Sequence, residues 1–104
     1  MERGGAAPMN EKQFQANVVE LAHYLGYLTY HTLDSRGSEP GFPDLVIVGR
    51  NRLLFREIKS EKGMLTQAQL KWGGALMAGG GDWSVWRPSQ MELVQATLTA
   101  DPVD

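Results

Sequence analysis

Asp44, Glu57 and Lys59 stand, along with Arg56, in two apolar segments of this chain, where aliphatic side chains alone would be expected. Asp44 opens the run Gly41-Phe42-Pro43-Asp44-Leu45-Val46-Ile47-Val48, and Glu57 and Lys59 lie within Leu53-Leu54-Phe55-Arg56-Glu57-Ile58-Lys59. Alternate side chains of a strand share a face, so Glu57 and Lys59 point the same way about 7 Å apart. Gly49-Arg50-Asn51-Arg52 has turn composition and predicts an antiparallel hairpin that brings Asp44 to the level of Glu57. Such a set suits phosphodiester hydrolysis, in which carboxylates hold a divalent cation that activates water and stabilises the leaving oxygen, and a lysine offsets charge on the phosphorane. Asp44 and Glu57 are hard oxygen donors matched to Mg²⁺ or Mn²⁺, and Ile58, between Glu57 and Lys59, offers its backbone carbonyl as a third donor. Taken alone, the same residues also describe an edge hairpin whose Asp44 caps a turn and whose Glu57 and Lys59 form a solvated face.

The surrounding pattern supplies elements to hold these groups. Asn10 with Gln13 reads as a capping box, and Phe14, Val18, Leu21 and Leu25 recur at helical spacing until Gly26. Of the two acids on that helix, Glu11 falls at the margin of the apolar stripe and Glu20 away from it, which selects Glu11 as the helix acid facing the hairpin, with Gln15 one turn along. Tyr27 to Leu33 is rich in aromatic and β-branched residues and reads as a strand. Thr66 with Gln69 forms a second capping box ahead of a helix over about 67–78, and its Gly73-Gly74 pair implies close packing. Trp83 to Trp86 alternates as a short strand, and Ser89 with Glu92 opens a last short helix. The expected organisation is a loose arm over 1–9, a single domain over 10–98 and a frayed tail over 99–104.

Composition narrows the class. The chain has 104 residues and no cysteine, which fits one domain with a modest core and removes disulfides, thiolate metal sites and thiol nucleophiles. His23 and His31 lack metal-ligand spacing, so zinc is not expected. No apolar run approaches membrane-spanning length, and an intracellular, cytoplasmic protein is expected, with no membrane partner. The formal net charge of −2 looks unpromising for a nucleic-acid binder, but Arg36, Arg50, Arg52, Arg56, Lys59, Lys62 and Lys71 gather in the middle of the chain. Among these, Arg36, Arg50, Arg52 and Lys62 are candidate backbone contacts to DNA.

Pro43-Asp44 followed by Glu57-Ile58-Lys59 resembles the signature of the PD-(D/E)xK nuclease superfamily, and its surroundings resemble the VRR-NUC branch. The likeness includes Glu11 and Gln15, Gly41 to Leu45, Glu57 to Gly63, Leu65-Thr66 with Gln69 and Trp72, and Val85-Trp86-Arg87-Pro88. The resemblance implies metal-dependent DNA cleavage with metal ligands at Asp44, Glu57 and the Ile58 carbonyl, Lys59 as catalytic lysine, Glu11 as the helix acid and Gln69 beside the site. Arg56 departs from the family pattern, where an apolar or small residue is expected, and either binds phosphate or pairs with Glu61.

The expected fold is a restriction endonuclease-like α/β domain in the order α-β-β-β-α-β-α, with a small mixed sheet of about four strands flanked by helices. The expected function is that of a Mg²⁺- or Mn²⁺-dependent DNA endonuclease selective for branched or Holliday-junction-like substrates, with Glu11, Asp44, Glu57 and the Ile58 carbonyl as metal ligands. A non-catalytic DNA-binding module, a sequence-nonspecific nuclease and a structural or partner-binding α/β domain with accidental motif residues are the alternatives. Incision of two strands would need a homodimer, with Trp83 and Trp86 as candidate interface residues. The compactness of the domain suggests a viral or mobile-element enzyme.

Overall fold

The computed structural model describes residues 9–32 and 37–101. Its elements follow the expected order: α1 (Glu11–Tyr24), β1 (Leu28–His31), β2 (Leu45–Gly49), β3 (Arg52–Ile58), α2 (Gln67–Ala78), β4 (Asp82–Trp86), a 3₁₀ turn (Pro88–Gln90) and α3 (Met91–Thr99). One sheet of four strands runs β1-β2-β3-β4, antiparallel for its first two pairings and parallel between β3 and β4. The sheet is therefore mixed, and α2 is the crossover that a parallel pairing requires.

Local chemistry accounts for the element ends. Asn10 Oδ1 accepts from the Gln13 amide at 2.8 Å and starts α1, while Thr66 Oγ1 and the Gln69 side chain exchange hydrogen bonds with each other's backbone amide to start α2. Arg50 and Asn51 both have positive φ, at 50° and 59°, which closes the β2–β3 hairpin in the sense that matches strand twist. The last helix starts differently from the Ser89–Glu92 expectation. Gln90 Oε1 reaches back to the Arg87 amide at 2.8 Å, Pro88 to Gln90 form a 3₁₀ turn, and Ser89 turns instead to Glu61.

The sheet has two different faces. On one, Leu45 and Ile47 of β2, Leu54 and Ile58 of β3 and Trp86 of β4 pack against Phe14, Val18 and Ala22 of α1 and Val94 and Leu98 of α3. This is the core, which among the described residues holds eleven buried hydrophobic residues, Tyr27 included. Strand alternation sends Val46, Phe55, Glu57, Trp83 and Val85 to the opposite face, where α2 lies. Trp86 is in the core and Trp83 is covered by α2, so neither is placed to supply a subunit interface.

Arg56 falls on the core face and is only 4 % exposed. Its guanidinium pairs with the Asp82 carboxylate at 3.1 Å, donates to the Asp82 carbonyl at 2.6 Å and stacks over the Trp86 ring at 4.7 Å. Burial lowers its pKa, and Asp82 partly offsets the shift. The residue that departs from the family pattern is thus a structural strut between β3 and β4, and its partner is Asp82 rather than phosphate or Glu61.

The two adjacent glycines of α2 have different environments. A Cβ at Gly73 would lie 2.5 Å from the Trp83 ring, whereas one at Gly74 would meet nothing within 4 Å. Gly73 is the contact point of α2 on the sheet, and Gly74 is exposed helix. Gly73→Ala is therefore expected to destabilise the protein by about 1–3 kcal/mol through overpacking, and Gly74→Ala to stabilise it by up to about 1 kcal/mol through helix propensity. Urea denaturation of the two variants checks the opposite signs.

Candidate active site

The site is built where β2 begins and β3 ends. Antiparallel register places Leu45 opposite Arg56, which puts Asp44 opposite Glu57. Asp44 Oδ2 accepts from the Ile58 amide at 2.8 Å, so the carboxylate fixes itself to the β3 backbone beside Glu57. The chain reaches this point through a fitted segment. Gly41 has φ of 95°, and a Cβ there would come within 2.5 Å of the Ala68 backbone, so this position needs glycine for both conformation and space. Phe42 then meets Phe55 and Trp72 edge-on, with ring centroids 6.2 and 5.1 Å away, and Pro43 is buried.

Glu57 is 1 % exposed. Its Oε2 accepts from Gln69 Nε2 at 2.8 Å, while Oε1 is buried with no hydrogen-bond donor. Burial is the largest cause of a rise in the Glu57 pKa to about 9; the hydrogen bond and charge of Asp44 add to it, as does the charge of Glu11, and Lys59 works against it. The neighbouring Asp44 carboxyl thus makes the ionised form of Glu57 costlier still.

Gln69 performs both of the roles open to it in the sequence. Its Oε1 accepts from the Thr66 amide at 2.9 Å while its Nε2 holds Glu57, so the first turn of α2 is tied to the end of β3. Lys59 follows β3, and its amide donates to the Trp86 carbonyl at 3.1 Å, continuing the parallel ladder one residue further. Asp44, Gln69 and Thr66 line a cleft of about 450 Å³ together with Thr32 and the segment from Ser38 to Pro43.

The remaining candidates are distributed more widely. Glu11, in the first turn of α1, is close enough to act on Glu57 through its charge, yet no group of three or more acidic, histidine or cysteine side chains is gathered closely enough to hold an ion among the described residues. Gln15 lines a neighbouring groove between α1 and β1, with Lys12, His23 and His31, and that groove meets the Asp44 cleft at Thr32. Lys62 is exposed just beyond Lys59. Arg36 lies outside the described residues.

Arg50 and Arg52 are not brought to the site. They sit at the turn end of the hairpin, about 15–20 Å from Asp44 along β2. Arg50 donates to the carbonyls of Leu98 and Ala100 at 3.3 and 3.4 Å, and Arg52 to the Tyr27 hydroxyl at 3.1 Å and to the Asp101 carbonyl. Arg50 thus holds the carbonyl end of α3 and Arg52 the chain just past it, so their cationic character serves the fold.

In the sequence, Arg87 has no role beyond its place in the family likeness, and Glu61 stands only as a partner for Arg56. Arg87 Nη1 donates to the carbonyls of Ser60, Glu61 and Gly63, and Glu61 accepts from the Ser89 amide and hydroxyl. Carbonyl partners leave no trace in residue types. The one available signal is Arg87 directly after an apolar strand.

A carboxyl whose pKa is higher in the folded than in the unfolded chain stabilises the fold below its unfolded value and loses that contribution as pH rises through the folded value. For Glu57 the window runs from the ordinary glutamate range to about 9. In the presence of a chelator, the protein is therefore expected to lose stability from this group between about pH 5 and pH 9. Glu57→Gln keeps a neutral side chain throughout. The variant is expected to have a flatter dependence of stability on pH and a higher melting temperature than the wild type at pH 8–9, as measured by thermal unfolding across that range.

No protein-family model and no curated protein matches this sequence. Solved structures do match. A VRR_NUC domain superposes with a TM-score of 0.67 at 23 % identity, over 86 % of this chain and 96 % of its own. A VRR_NUC domain protein gives 0.65 at 20 % identity, over 90 % and 93 % of the two chains. The Holliday junction resolvase Hjc of the archaeal hyperthermophile Archaeoglobus fulgidus gives 0.50 at 20 % identity, over 74 % and 67 %. At these identities the likeness is one of fold: the chain has the architecture of the VRR_NUC structures, the restriction endonuclease-like α/β arrangement expected from its sequence.

Proposed function

We propose that this protein is a nuclease that hydrolyses phosphodiester bonds in DNA with the help of Mg²⁺ or Mn²⁺. The observation that carries this reading is the Asp44–Glu57 pair: two carboxyls meeting at the end of a hairpin, one of them buried with an oxygen that lacks a donor. An arrangement this costly in the free protein suits a group that binds cations. The donor set fits a hard divalent ion, since Mg²⁺ takes one or two carboxylates and completes its shell with water and substrate oxygens. Asp44, Glu57 and the Ile58 carbonyl would hold the ion, with Glu11 as an outer acid. When bound, such a cation supplies Lewis-acid polarisation of the phosphoryl group and lowers the pKa of water.

The chain's own groups have distinct duties. The Ile58 amide and Gln69 orient the two carboxylates, leaving Glu57 Oε1 for the ion. Lys59, beside the pair, places positive charge where the pentavalent phosphorus gathers negative charge. Lys62, in the loop after Lys59, and Gln15, in the groove that adjoins the Asp44 cleft, are the candidate contacts to the DNA backbone.

Branched DNA is the substrate class we favour, since one of the structural neighbours is a Holliday junction resolvase. Cutting two strands then calls for a C₂ dimer. Support for a dimer comes from the face of the sheet that α2 leaves open, where Leu28, Val48 and Leu53 are register neighbours and 74, 41 and 50 % exposed, beside Tyr30 at 64 %. This row carries no charge, and Leu53→Glu is expected to shift the protein from dimer to monomer in light scattering.

Four-way junction, flap and linear duplex DNA incubated with Mg²⁺ or Mn²⁺ test the main reading. The wild type is expected to cut branched DNA fastest and to stop when the cation is chelated. Glu57→Ala and Lys59→Ala are expected to lower the rate by about 100-fold or more. Equal cleavage by the variants would overturn the assignment of the site, equal cutting of all three substrates would favour a nonspecific nuclease, and binding without metal-dependent cleavage would leave a DNA-binding module.

A further inference from the structure

Lys59 stands just past the last residue of β3, where the parallel ladder is ending and a polar loop begins. A lysine on a frayed strand end would not hold a fixed position, because its stem has four rotatable bonds and its ammonium is strongly hydrated. The loop that follows is unusually well tied. Ser60 and Gly63 close a turn, with the Gly63 amide donating to the Ser60 carbonyl at 3.2 Å. Arg87 Nη1 lies over the inside of that turn and donates to Ser60 and Gly63 carbonyls at 2.7 Å each and to the Glu61 carbonyl at 3.3 Å. From the other side, the Glu61 carboxylate accepts from the Ser89 amide at 3.1 Å and the Ser89 hydroxyl at 2.6 Å.

The turn touches Lys59 itself. A Cβ at Gly63 would lie 3.5 Å from Lys59 Cδ, so the lysine stem runs alongside the closed turn. The anchor is fixed in its turn, since Gln90 Oε1 accepts from the Arg87 amide and the Trp86 carbonyl accepts from the Lys59 amide. Three carbonyls converging on one guanidinium are a costly arrangement to leave without a donor, and the Arg87 side chain donates to all three.

We propose that Arg87 is a positioning residue for Lys59: its guanidinium locks the Ser60–Gly63 turn against the end of β4, the Glu61–Ser89 pair closes the lock from the opposite side, and the locked turn fixes the direction of the Lys59 side chain. The proposal rests on the nuclease reading of the site and extends it to a second layer of residues beyond the carboxylates. Arg87 touches neither substrate nor ion in this scheme. It acts only through Lys59, and that sets its kinetic signature.

Single-turnover cleavage of junction DNA in Mg²⁺, with full-length wild type, Arg87→Ala, Lys59→Ala and the double variant, tests it. Arg87→Ala is expected to lower the cleavage rate by about 10–100-fold with the apparent KM within about twofold of the wild type. The double variant is expected to match Lys59→Ala within about twofold, since a group acting only through Lys59 has nothing left to position. Arg87→Lys is expected to restore part of the rate. Amide hydrogen exchange in the presence of a chelator supplies a readout independent of cleavage: Gly63 and Lys59 amides should exchange about tenfold faster in Arg87→Ala while those of Ile47 and Leu54 do not change. If Arg87→Ala fails to fold, Glu61→Ala, at an exposed position, removes the second tie alone and is judged by the same comparison in the Lys59→Ala background.

Equal losses from Arg87→Ala in the presence and absence of Lys59 would overturn the proposal, as would faster exchange spread through the core strands. Either result with an active wild type sinks the lock and leaves the nuclease reading standing. A wild type that cuts none of the DNA substrates sinks both.

Discussion

The structure depends on a carboxyl pair placed where two strands meet. Asp44 begins β2 and Glu57 lies near the end of β3, and the antiparallel register sets them opposite each other. Removing Glu57 from water is unfavourable, and facing it with another acid makes it more so, which is why its pKa climbs to about 9. The surroundings compensate with donors: the Ile58 amide for Asp44 and the Gln69 side chain for Glu57. One carboxylate oxygen is left over. The proposed cation would supply what that oxygen lacks, and would invert the electrostatics of the pair.

Around this pair the cations divide by position along the hairpin. At the turn end, Arg50 holds carbonyls at the end of α3 and Arg52 the Asp101 carbonyl just past it, which fastens the C-terminal helix to the sheet. On the core face, Arg56 joins β3 to β4 through Asp82 and Trp86. Only at the open end does a lysine stand beside the carboxyls, and there Arg87 organises the loop that follows it. A residue's charge therefore says little until its strand parity and its end of the strand are known.

Much of the architecture is legible in local sequence because it follows from local physics. The apolar runs Leu45 to Val48 and Leu53 to Ile58, the turn at Gly49 to Arg52 and the Thr66–Gln69 box each concern neighbours a few residues apart. The hairpin alone suffices to bring Asp44 to Glu57, since register between adjacent strands is set by one short turn. The helix-wheel choice of Glu11 over Glu20 is of the same kind; Glu11 acts on Glu57 through its charge, and the described side chains form no three-acid cluster.

What the sequence by itself determined, then, is the order of elements, the hairpin and the residue types at its open end, because these need only periodicity and turn chemistry. The tertiary structure alone decided which side of the sheet α2 covers, that Gly73 and not Gly74 is its contact point, and that Gln69 serves a helix cap and a buried acid at once. It also decided the partners of Arg50, Arg52, Arg56 and Arg87, most of which are backbone carbonyls from distant parts of the chain. Every residue carries a carbonyl, so no residue type marks the one that an arginine will find; only the packing of α2, β4 and α3 onto the hairpin brings donor and acceptor together.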